Sequence, residues 1–154
     1  MADTEESVRC LWIPLRDVNM LIPSASVAEV CNYQVPDEMK ESPDWILGTI
    51  CWRGETVPVI SLEILCGDGV PVNLVYSRLM IINSICPDST VRFYAIVAAG
   101  LPRLLQFDDS TVRGMEASTL EAVQCRVSVG SETAVIPDLA YIQGLLEQHR
   151  DIAA

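Results

Sequence analysis

Across 154 residues the chain is 50% hydrophobic and carries 21 acidic against 10 basic residues, for a net charge of −11. So much apolar material excludes a disordered chain and fits one domain with a packed core. The acidic excess, with no basic stripe to offset it, excludes nucleic acid as a partner.

In chain order, residues 1–7 read as a flexible acidic tail and 8–149 as a single domain. The N-terminus has no signal-peptide pattern, so a cytoplasmic protein is expected. Residues 8–15 (VRCLWIPL) are extended, and Arg16–Asn19 turn the chain into a second strand at Met20–Pro23. Ser26-Val27-Ala28-Glu29 fits a helix capping box, while Val27, Val30 and Tyr33 among polar residues fit an irregular strand equally well. Residues 34–44 (QVPDEMKESPD) are turn-rich and charged, as a surface loop is. Two strands follow over 45–52 and 57–62. Leu62–Cys66 is then a short helical turn ending at Gly67, with Gly69 and Pro71 in the loop beyond.

Residues 79–86 (LMIINSIC) and 92–99 (RFYAIVAA) are two more strands, separated by Pro87-Asp88-Ser89-Thr90, and Leu101–Phe107 fits another. Residues 122–129 and 133–136 form a hairpin around Gly130-Ser131-Glu132. From Asp138, a capping residue, Leu139, Ile142, Leu145 and Leu146 recur at helical spacing. Many short strands with one terminal helix predict a small barrel or sandwich. The longest uncharged apolar run, Tyr94–Pro102, falls far short of the roughly 20 residues a spanning helix needs, so no membrane insertion is expected.

Chemistry is sparse. The six cysteines show no C-x-x-C pair or other metal-ligand spacing and read as reduced core residues. The single histidine, His149, reads as a surface residue near a helix end, which leaves a cysteine nucleophile without a base. Phosphate-binding glycine loops and nucleophile elbows are missing. Asp108 and Asp109 would face opposite sides of a strand. No catalytic residue, metal site or cofactor is predicted, and a binding function is expected instead.

The stretch 45–62, WILGTICWRGETVPVISL, sets Arg53 between two apolar runs, ahead of a glycine that can adopt positive φ. Two readings stand. Arg53 is a solvated turn residue, or its guanidinium is locked by a carboxylate into a recognition surface, with Glu29 a candidate partner.

The segment Trp45–Gly67 resembles the signature of CheW-like coupling proteins, the adaptors that link chemoreceptors to a histidine kinase in bacterial chemosensory arrays. Leu47-Gly48, Arg53-Gly54, Val57-Pro58-Val59-Ile60 and Leu62 carry the likeness. It extends through Ile22-Pro23, Val27–Val30, Ala95–Phe107 and Ala134–Leu139, and covers residues 8–146. The resemblance implies two intertwined five-stranded SH3-like β-barrels with a short C-terminal helix, no catalysis and no cofactor. The partners it implies are the histidine kinase regulatory domain, docked on one lobe, and the chemoreceptor cytoplasmic tip, held in a groove between lobes. Residue by residue, Glu29 and Arg53 fall on a pair tied to receptor binding. Val27 and Gly48 fall beside it, and Leu101 and Leu104 on apolar groove positions of the second lobe.

Four positions depart from the family pattern. Ala95 and Ala99 stand where the family usually has Gly and Asp, which opens the alternative of a kinase-only binder of the same fold. Cys51-Trp52 stands where Asn-Leu is more frequent, so Trp52 reads either as core or as contact surface. A different class, a small β-barrel enzyme or ligand-binding domain using Cys51 or Cys66, is the remaining alternative. A divergent accessory member of a motility or pilus array is the expected type.

Overall fold

Two β-sheets share one apolar centre, and the chain crosses between them twice. The computed structural model describes residues 8–67, 77–86, 88–108, 114–118 and 120–149. Strands β1 (Val8–Pro14) and β2 (Asn19–Pro23) open one sheet. The chain then builds the other from β3 (Val27–Asn32), β4 (Ile46–Trp52), β5 (Glu55–Ile60), β6 (Arg78–Asn83) and β7 (Phe93–Ala98). It returns to the first sheet with β8 (Arg103–Phe107), β9 (Gly114–Ala117), β10 (Val123–Val129) and β11 (Glu132–Pro137). The strand orders are β8-β1-β2-β11-β10-β9 and β3-β6-β7-β5-β4. A parallel ladder, Ala134↔Asn19 and Val135↔Met20, ties the N-terminal hairpin to the C-terminal strands. This pairing is what intertwines the lobes.

The first sheet therefore has six strands among the described residues, where five per lobe were expected. The addition is β9, whose sequence GMEA has no alternation to announce it and which is held by its pairing with β10. The capping-box reading of Ser26–Glu29 fails. Ser24–Ser26 forms a 3-10 turn without a side-chain cap, and Val27 begins the irregular strand. Residues 1–7, Gly69, Pro71, Pro87 and Asp109 lie outside the described residues.

Side-chain alternation along β6 and β7 explains their unbroken apolar runs. Met80, Ile82, Tyr94, Ile96 and Ala98 enter a large cluster shared by both sheets. Leu79, Ile81, Ala95 and Val97 point the other way into the five-stranded sheet's own interior, with Ile50, Trp52, Val57 and Val59. Strands buried on both faces need no polar alternation. The six-stranded sheet has a smaller interior: Cys10, Trp12, Leu21, Val127 and Ala134. Pro58, buried in β5, is tolerated because the parallel ladder to β7 begins immediately after it, at Val59↔Ala95.

Both helices start at a side-chain cap. Ser61 Oγ accepts from Ile64 N–H at the head of α1 (Leu62–Leu65), and Asp138 accepts from Tyr141 N–H at the head of α2 (Leu139–Gln148). Helix α2 bridges the lobes. Its Ile142 and Leu146 enter the shared cluster, and its buried Gln143 accepts from Ile85 N–H at 3.0 Å while donating to Ser84 Oγ. His149, expected at the surface, is half-buried and meets Trp45 edge-on at 6.2 Å. The cysteines also divide. All six are free thiols, but Cys10 alone is fully buried, and Cys51 and Cys86 are exposed rather than in the core.

Candidate functional site

Arg53 sits at the tip of the β4–β5 hairpin. The register Trp52↔Glu55 leaves Arg53 and Gly54 as a two-residue connection, and both have positive φ, +49° and +79°. Two left-handed residues in succession make a type I′ turn, whose twist matches the flanking strands. Asn-Gly is the usual occupant, and a left-handed arginine costs about 1 kcal/mol. The glycine was expected to adopt this conformation; the arginine was not.

The side chain reaches β3, the opposite edge strand in the sheet's order. Arg53 Nη2 meets Glu29 Oε1 at 2.7 Å. Glu29 comes from edge strand β3, where a bulge between Val27 and Glu29 changes which residues face inward. On the far side of the bulge, the Cys31 thiol donates to Glu29 Oε2 at 3.2 Å. Beneath the guanidinium lies Trp52, with the arginine carbon 4.9 Å from the ring centroid. Trp52 packs edge-on against Phe93 at 4.8 Å and is only 8% exposed. Its indole N–H finds no hydrogen-bond partner of good geometry, yet lies close enough to Glu29 and Cys31 to favour their charged forms.

The protonation states follow from these contacts. The Cys31 hydrogen bond, and after it the Arg53 charge, hold the Glu29 carboxyl below its ordinary range, against a partial desolvation that acts the other way. Burial first, and Glu29 second, push the Cys31 thiol up to about 11. The pair is thus a carboxylate and a guanidinium, and Cys31 is a neutral thiol. Trp52 resolves as core on one face and as the bed of the arginine on the other.

The remaining sequence-derived candidates occupy different environments. Val27 packs on the rim of the shared cluster. Gly48 is buried beneath the 34–44 loop at φ +140°, and a Cβ there would collide with the Asp37 carbonyl. That close approach permits the bridge in which Asp37 and Thr49 exchange backbone hydrogen bonds of 2.8 and 3.0 Å. Leu104 lies on β8 of the other sheet and Leu101 in the connection just before it, 59% and 65% exposed. Leu104 stands opposite Leu11 on β1, and Leu11 opposite Ile22 on β2, so an apolar row descends from solvent into the shared cluster. Sequence reasoning missed Leu11, Cys31 and Phe93. Leu11 could have been found from the alternation in VRCLWIP, but only strand pairing brings the other two to the arginine. Among the described residues no group of acidic, histidine and cysteine side chains could hold a metal, and no helix is long and apolar enough to cross a membrane.

A family model described as the CheW-like domain matches residues 9–144. The chain belongs to the CheW-like family. The scaffolding protein TtCheW from Thermoanaerobacter tengcongensis has a similar structure, with a TM-score of 0.72 over 90% of this chain and 91% of that one. Identity between the two is 17%, so the likeness is one of fold. Comparison with curated proteins gives no match. Of the four positions that depart from the family pattern, Ala95 is fully buried in the five-stranded sheet's interior, whereas Ala99 is half-buried and its N–H donates to the Pro14 carbonyl.

Proposed function

We propose that this CheW-like chain is a non-catalytic coupling scaffold that joins a chemoreceptor cytoplasmic tip to a histidine kinase regulatory domain, in the cytoplasm at a receptor array. The observation that carries the reading is the Arg53 guanidinium, presented on a strained turn and clamped to Glu29 at 2.7 Å. An arginine already ordered loses less entropy when a partner docks. Val27, Leu101 and Leu104 supply apolar surface for the receptor helix in this reading. Gly48 acts from below, by letting the 34–44 loop seat against β4.

Calorimetric titration with a kinase regulatory domain and with a receptor-tip fragment tests it, wild type beside Arg53→Ala. Binding to both, with the receptor arm weakened at least about tenfold in the variant, is the expected result. Failure of both titrations refutes the reading. Kinase binding alone favours the kinase-only alternative, for which Ala99 remains the relevant departure.

The enzymatic alternative is tested by thiol labelling. Exposed Cys51 and Cys86 should label first by access alone, and Cys10 and Cys31 last, because burial raises the pKa of both. A half-buried Cys66 outpacing both exposed thiols would mark an activated nucleophile and reopen that alternative.

A further inference from the structure

We propose that Trp52 and Cys31 are positioning residues for the Arg53 guanidinium, so that the recognition site is a four-strand cradle and not an isolated ion pair. The inference rests on reading Arg53 as a recognition residue and goes further by naming what aims it. The ion pair alone is a poor clamp: the Arg53 and Glu29 side chains are 69% and 37% exposed, and pairs so placed leave long side chains mobile. The turn fixes Arg53's backbone and leaves its side-chain torsions open.

Two further contacts close the arrangement. The indole of Trp52 offers the guanidinium a flat surface at 4.9 Å, and that surface is itself immobile, since it is buried among Ile50, Val57, Val59 and their neighbours and braced by Phe93 at 4.8 Å. On the opposite side the carboxylate of Glu29 is held twice, by Arg53 on one oxygen and by the Cys31 thiol on the other. Rigidity thus passes from the core of the sheet through Trp52, and from edge strand β3 through Cys31, to one exposed cation. Strands β3, β4 and β7 supply the fixed parts, and the turn into β5 supplies the arginine. Trp52 is too buried to meet a partner broadly, so its influence on binding runs through Arg53.

Full-length protein is used for the test, with Trp52→Leu, Trp52→Phe, Cys31→Ala, Arg53→Ala and the Arg53→Ala/Trp52→Leu pair. The free proteins are compared by the NMR resonance of the Arg53 Nε–H and by the titration of the Glu29 carboxyl. Binding is read by calorimetry with a receptor-tip fragment as probe. Trp52→Leu should move the Nε–H resonance toward that of a freely rotating arginine and weaken binding roughly two- to fivefold. Trp52→Phe keeps a ring under the cation and should restore most of both. In the Arg53→Ala background, Trp52→Leu should cost nothing more, because its effect passes through the missing group.

An unchanged Arg53 resonance in Trp52→Leu, or losses that add in full, would overturn the proposal and leave Trp52 a core residue only. If Trp52→Leu fails to fold, Cys31→Ala decides by the same resonance and by an upward move of the Glu29 midpoint; no change in either overturns it. If the wild type does not bind the fragment, the receptor reading fails, while the NMR comparison still decides whether the arginine is positioned.

Discussion

Each sheet ends its interior with an arginine laid on a tryptophan and tied to a glutamate, and the two closures are built to different tolerances. In the five-stranded sheet Arg53 lies 4.9 Å over Trp52 and 2.7 Å from Glu29. In the six-stranded sheet Arg103 lies 5.9 Å over Trp12 and 3.2 Å from Glu132. Arg53 is the sequence neighbour of its tryptophan, bent over it by a left-handed backbone. Arg103 stands across a strand pair from Trp12, in ordinary register. Among the described residues, only the first closure has a second donor on its carboxylate and an aromatic brace behind its indole. The looser closure covers a core of five buried residues, the tighter one a core of eight. The difference separates two tasks: Arg103 covers a small interior, whereas Arg53 is held in place on a large one.

The largest effects should therefore come from the tryptophans, and unequally. Trp12→Ala removes the biggest side chain from the smaller cluster and should cost about 4 kcal/mol or more of unfolding free energy. Its hydrogen-exchange signature should be concentrated in β1, β2 and β10. Trp52→Ala leaves seven buried neighbours in place and should cost about 3 kcal/mol, in denaturant unfolding under the same conditions. A greater loss at Trp52 would reverse the ranking of the two interiors. Gly48→Ala comes next, at about 2–3 kcal/mol, since it combines a forbidden φ with a collision against the Asp37 carbonyl. Exchange of the Asp37 and Thr49 amides should rise with it.

The same contrast shows what could be read from the chain alone. Strands buried on both faces announced themselves as apolar runs, and Asp138 marked the start of α2, because burial and capping are local in sequence. Strand β9 was invisible, since GMEA owes its conformation to β10. The Arg53-Gly54 turn was half legible: glycine signals positive φ, but nothing in the sequence says that an arginine shares it. Glu29 is a candidate partner from its charge and the family likeness ties it to Arg53, while the contacts of Cys31 with Glu29 and of Phe93 with Trp52 appear only in the folded sheet. Gly48 was attached to the binding surface by the same likeness, yet the residue it must avoid, Asp37, approaches through a loop that composition marks only as polar.

Exchanging the two arginines for alanine sharpens the comparison at the level of binding. Arg53→Ala should weaken receptor-tip binding at least about tenfold, whereas Arg103→Ala should leave it within about twofold. Neither should shift the unfolding midpoint much, because both pairs are substantially exposed. An equal loss of binding at Arg103 would mean that both closures face the partner and that their difference in tolerance has no functional meaning.

The smallest effect, and the most specific to the Arg53 closure, is its pH window. The groups facing Glu29 are Arg53, Cys31 and the Trp52 indole, and no like charge is among the contributors to its shift. Its carboxyl is depressed when folded, so the stability it contributes is complete above the ordinary value of 4.5 and is lost as pH falls through the lower folded value. Cys31 has the opposite sign. Its thiol is raised from 9.0 to about 11, so its contribution is complete below 9.0 and fades as pH climbs toward 11. The cradle should thus hold one geometry across the whole interval between these limits, and the Arg53 Nε–H resonance should be flat there and move at both ends. Arg53→Ala and Cys31→Ala should each raise the lower limit only partly, because each leaves the other's contribution in place, and Cys31→Ala should also abolish the upper transition. A lower limit that responds to Arg53 and ignores Cys31 would reduce the site to a bare surface ion pair, no better built than the one at Arg103.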